Sequence, residues 1–124
     1  MTENKKIIRV VEGGGGQGIR RGNLVNGRLV NGRVVNFQLM EDSPASPEEI
    51  VDFIYSDLLD GTVGVAITMA GKISDHNLVV KSPNLHVLDD YNLGAEVTKK
   101  CGLPCFVGND METATAGEIA LRPD

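Results

Sequence analysis

Tryptophan is absent and aromatic residues make up only 4% of the chain, so the core has to be built from valine, leucine and isoleucine. No apolar run approaches the ~20 residues that a membrane-spanning helix needs. The polar opening at residues 1–6 lacks the apolar stretch of a signal peptide. Basic residues do not dominate either: 12 Lys and Arg stand against 17 Asp and Glu, a formal charge of -5. Polyanion affinity comes largely from clustered positive charge, so nucleic acid is not an expected partner and the net charge serves solubility. Cysteine is scarce. Cys101 and Cys105 do not form a C-x-x-C pair, which suits a reducing cytoplasm and packing roles. His76 and His86 read as surface-loop histidines, and no metal site is expected.

What is present is ordinary for a soluble globular domain, with 41% hydrophobic and 23% charged residues. The 124 residues are enough for one domain with a real core and too few for two. Residues 7–11 read as a first buried strand running into Gly13-Gly14-Gly15-Gly16. Short Leu and Val pairs follow, separated by Asn26-Gly27 and Asn31-Gly32. Asn-Gly favours a tight hairpin turn, so one real turn and one bulge or strand end are expected, with the register open. Ser46-Pro47-Glu48-Glu49 is a helix start, with a capping serine, a first-turn proline and a capping-box glutamate. Ile50, Phe53, Ile54 and Leu58 then recur at helical spacing up to Asp60-Gly61.

Val63 to Met69 is β-branched and apolar, a strand buried on both faces. Residues 70–88 read mainly as turns and short extended pieces. A second helix is expected at about 90–100, ended by Gly102 and Pro104, then a short strand from Cys105 to Val107. A third helix, capped by Asn109 or Asp110, is expected over 111–121. By pattern alone this is an α/β sheet with helical cover.

One segment is more specific. The strand ending in Gly108-Asn109-Asp110, followed by a small-residue helix closing in Gly117-Glu118, resembles the ROK sugar-kinase family. Ala70-Gly71-Lys72-Ile73 resembles that family's strand-end Pro-Gly turn. Ser82-Pro83-Asn84-Leu85 resembles its Pro-Asn-Leu sugar loop, and Cys101-Gly102-Leu103-Pro104 its helix-to-strand link. The resemblance covers roughly residues 60–120. It implies a ribonuclease-H-like lobe of the actin-like ATPase type: a mixed sheet of about five strands, the first three antiparallel, with covering helices. It also implies a site. Asp110 would take the proton of a hexose hydroxyl as that oxygen attacks a phosphoryl group. Asn84 and Asn109 would pair with vicinal hydroxyls, Gly71 would let backbone approach the ring, and Glu118 would stand at the end of the site helix. Read singly, Asp110 is more readily a helix cap than a base, and Glu118 is equally a solvated helix-end glutamate.

The glycine loop departs from the family pattern Asp-x-Gly-Gly-Thr. Aligned on Ile19-Arg20, Gln17 stands where the threonine belongs and Gly13 where the aspartate belongs. Aligned on strand one, Glu12 takes the aspartate's place and the loop has extra residues. The amides of Gly14, Gly15, Gly16 and Gln17 could still cradle a phosphate, or the run is a flexible turn. The family's Cys-rich zinc motif and Glu-x-Gly-His element belong to a C-terminal half that is missing here. The expectation is therefore one N-terminal kinase lobe over 1–124, using ATP and Mg only with a second lobe. The other reading is a degenerate sugar-binding or protein-interaction module. The face a second half would cover suggests self-association or a partner lobe. The family's transcriptional regulators carry a DNA-binding helix-turn-helix ahead of the lobe, whereas strand one here begins within the first ten residues.

Overall fold

The computed structural model describes residues 7–15, 18–25, 34–40 and 44–109. The Asn-Gly pairs, Gly16, Gln17, Asp110, Glu118 and the expected third helix lie outside the described residues. Five strands, β1 (Ile7–Gly15), β2 (Gly18–Val25), β3 (Val34–Leu39), β4 (Thr62–Met69) and β7 (Cys105–Gly108), form one sheet in the order β3-β2-β1-β4-β7. The first three are antiparallel, while β4 runs parallel to both β1 and β7. The open register is settled: Leu24 pairs with Val34 and Arg20 with Leu39, around a bulge between Arg21 and Asn23.

Two helices, α1 (Pro47–Tyr55) and α2 (Leu93–Cys101), supply the apolar cover. Ile50, Val51 and Ile54 of α1 and Leu93 and Val97 of α2 are buried with Val65, Ile67 and Met69 of β4 and Val107 of β7. Each such side chain contributes roughly 1.5–3 kcal/mol of transfer free energy, and alternate strand residues supply them because strand side chains alternate faces. Ile8, Leu24 and Ala66 form a smaller cluster on the other face.

Both helices are shorter than their periodicity suggests, and local backbone explains why. Ser46 caps α1 as expected, its Oγ accepting from Glu49 N at 3.4 Å. The helix stops at Tyr55, short of Leu58, because Ser56 is extended and Asp57 turns left-handed at φ 56°. Residue 90 cannot open α2, since Asp90 is left-handed (φ 57°) and Tyr91 bridges to Val79. Asn92 caps the helix instead, accepting from Ala95 N at 3.1 Å, and Gly102 closes it at φ 75°. The 70–88 stretch is more ordered than expected: β5 (Lys72–Ser74) and β6 (Leu78–Lys81) form a small hairpin, followed by a 3-10 turn at His86–Leu88.

Two arginines reading as isolated charges in the sequence are buried between sheet and helix. Arg9 donates to the carbonyls of Ile54 (2.9 Å), Ser56 (3.0 Å) and Asp57 (3.0 Å), and to Asn23 Oδ1 (3.2 Å). Arg21 reaches the carbonyls of Phe53 and Ser56 and lies over the Phe53 ring. Helix ends leave carbonyls without intrahelical partners, and here cationic side chains take them up.

Candidate functional site

The carboxyl ends of β1, β4 and β7 lie side by side, with Gly13 opposite Met69 and Thr68 opposite Gly108. In open α/β sheets this is the edge where ligands bind. Asn109 follows β7 directly and is exposed. Gly71 follows β4 and opens the hairpin in a left-handed conformation, φ 121°. A Cβ at Gly71 would stand 2.0 Å from the Lys81 carbonyl and 3.0 Å from Ser82 Cα. The backbone that Gly71 admits is thus the chain's own, and that contact sets the 82–84 turn against the β4 end. Asn84, exposed, is carried on that turn. The structure therefore sets Gly71 and Asn109 at the ends of adjacent strands, with Ser82 against Gly71 and Asn84 two residues further on.

Asp89, which sequence reasoning missed, anchors the turn. Its Oδ1 accepts from Ser82 N at 2.9 Å, and its Oδ2 lies 3.1 Å from His86 Nδ1. Those two hydrogen bonds, Ser82 first, hold the carboxyl below its ordinary range. Because the folded value is depressed, this contribution is present above the unfolded value near 3.8 and is lost as pH falls through the folded one. No spacing rule flags an aspartate seven residues after a Ser-Pro. Asp89→Ala should speed hydrogen exchange of the Ser82 amide roughly tenfold and loosen the turn bearing Asn84. Unchanged exchange at Ser82 would show that the turn holds its shape unaided.

The glycine loop is a bulged strand end. Glu12 pairs directly with Arg20 and Gly15 with Gly18, so Gly13 and Gly14 oppose Ile19 alone as a bulge. The Glu12 carboxylate is tied to Arg20 at 2.5 Å. Gly13 is used for packing and pairing: its Cβ would lie 3.2 Å from the Met69 thioether, and its carbonyl accepts from Ala70 N. In the described part of this loop the one carboxylate is engaged by Arg20 and no side-chain hydroxyl is present. Among the described residues no group of three or more His, Cys, Asp or Glu is placed to hold a metal ion.

Cys101 and Cys105 are free and pack against the main core. Burial, with Cys101 a smaller cause, pushes the Cys105 thiol well up, so it stays protonated. Beside Asn109 an open pocket of about 220 Å³ is lined by Ile73, Asp75, His76, Gly108 and Asn109. No described helix is long and apolar enough to cross a membrane.

A family model described as the ROK family matches residues 44–122. A putative N-acetylmannosamine kinase from Listeria monocytogenes superposes with a TM-score of 0.63 at 20% identity, over 84% of this chain and 35% of that one. A ROK family glucokinase from Streptomyces griseus, in complex with glucose and AMPPNP, gives 0.61 at 26% identity over 85% and 33%. A ROK family transcriptional regulator, homologous to the E. coli MLC protein, gives 0.57 at 22% identity over 89% and 29%. Among curated proteins no sequence matches the chain. The chain thus spans about a third of these structures, and its sheet is that of their actin-like ATPase fold.

Proposed function

Because the chain belongs to the ROK family, we propose that it is the sugar-holding N-terminal lobe of a hexose kinase and transfers no phosphoryl group alone. The observation that carries this is the gathering of Gly71, the 82–84 turn and Asn109 at one carboxyl edge. The amides of Asn84 and Asn109 each donate and accept, which suits vicinal hydroxyls. Asp110, next in the chain, takes the proton of the attacking hydroxyl, and Glu118 belongs to the same site. The family's nucleotide, ATP with Mg, supplies the phosphoryl group and would be held chiefly by a second lobe, which also excludes water from the transfer. A glucokinase of this fold crystallised with glucose and AMPPNP supports these ligand classes.

A second reading, a non-catalytic sugar-binding or interaction module, is favoured by one observation: the Glu12–Arg20 pair in place of a free acid at the glycine loop. Fold by itself does not choose between these, since the same fold serves a regulator. Calorimetric titration with glucose, N-acetylated and other hexoses, and separately Mg-ATP, tests the proposal. Saturable hexose binding without nucleotide binding is expected. No heat with any hexose would leave only the interaction module.

A further inference from the structure

We propose that the hairpin turn Asp75-His76 is a further wall of the hexose site, its two side chains contacting the ring beside Asn109. This rests on the hexose reading above. Ser74 O accepts from Asn77 N at 3.1 Å, closing a turn whose central residues, Asp75 and His76, have φ 54° and 56°. Two positive values define the tight hairpin turn that prefers Asn-Gly or Asp-Gly. Aspartate and histidine are among the non-glycine residues that visit this conformation most, yet only glycine would be unstrained there. Strain of this kind collects at ligand sites, where the side chain is needed more than the backbone is eased.

The turn is also fixed in place. Val107 N donates to the His76 carbonyl at 2.8 Å, seating the turn on the free edge of β7. The His76 ring stacks on Phe106, centroids 4.2 Å apart and planes 21° apart. Both contacts hold the turn against the strand that ends in Gly108 and Asn109, and the pocket of about 220 Å³ lies between them. Its volume is small beside the roughly 300–1,000 Å³ of pockets that take drug-sized ligands, which suits one monosaccharide ring. Its chemistry narrows the class further. The Asp75 carboxylate accepts, the Asn109 amide donates and accepts, and the His76 imidazole offers polar nitrogens beside the apolar Ile73. That set recognises hydroxyls on a neutral ring, while the carboxylate disfavours a phosphate or carboxylate ligand.

Titration of glucose and N-acetylated hexoses into wild type, Asp75→Asn and His76→Gly tests this. Asparagine keeps the left-handed backbone and removes the charge; glycine relieves the strain and removes the ring. Each variant should bind the hexose about five- to tenfold more weakly, without a matching fall in thermal midpoint. Saturating hexose should also shift the His76 ring proton resonances in wild type, which a purely structural turn would not produce. If His76→Gly fails to fold, His76→Asn gives the same reading. Unchanged affinity in the variants, with wild type binding normally, overturns this inference and leaves the hexose site standing. Absence of hexose binding to wild type overturns both.

Discussion

Methionine in place of Arg9 should lower the unfolding free energy by about 3–5 kcal/mol. The side chain is 2% exposed, and its guanidinium carries the carbonyls of Ile54, Ser56 and Asp57 at 2.9–3.0 Å. Methionine fills the space without donating. Arg21 still reaches Ser56, but Ile54 and Asp57 would lose the Arg9 hydrogen bonds. Burial and the neighbouring Arg21 pull the Arg9 pKa down to about 10, well above neutrality, so the group is cationic under ordinary conditions. Lysine keeps the charge but has no planar fork to span three carbonyls, so Arg9→Lys should recover less than half of the loss. Domains of this size are stable by only about 5–15 kcal/mol, so the effect is large enough to read by urea unfolding. A loss below about 1 kcal/mol would mean that the end of α1 satisfies itself with water.

Alanine at Gly71 is expected to cost about 2–4 kcal/mol and to displace the turn that carries Asn84. Two effects add there. The backbone is left-handed at φ 121°, and the new Cβ would stand 2.0 Å from the Lys81 carbonyl, which cannot retreat without breaking the β5–β6 pairing. Gly102→Ala separates the two. Gly102 is also left-handed, φ 75°, but nothing lies within 4 Å of its Cβ position, so only the conformational cost of about 1 kcal/mol remains. Equal losses at the two sites would show that the β5–β6 hairpin yields easily and that Gly71 does not fix the position of Asn84.

Much of the framework was legible because it depends on local rules. The α1 cap at Ser46 follows from Ser-Pro-Glu-Glu, and β4 from its β-branched run. The mixed five-stranded sheet agrees with the fold implied by the Asn109 and Pro83-Asn84 segments. The helix limits were not legible, because the left-handed turns at Asp57 and Asp90 override a periodicity that continues past them. The β5–β6 hairpin was missed for a related reason: its turn is Asp-His, where turn chemistry leads one to look for Asn-Gly.

The sequence by itself determined most apolar core positions, the Ser46 cap, the Gly102 helix end and the family, since each depends on residue type and short spacing. Only the tertiary structure decided what the polar residues do. Arg9 became a helix-end clamp, Glu12 the partner of Arg20, Asp89 the anchor of the 82–84 turn, and His76 a neighbour of Asn109. The physical reason is range. Apolar burial needs only a face, which periodicity records, whereas a hydrogen bond needs a particular atom within about 3 Å. From Arg9 that atom lies 45 residues away, and chain folding alone brings it there.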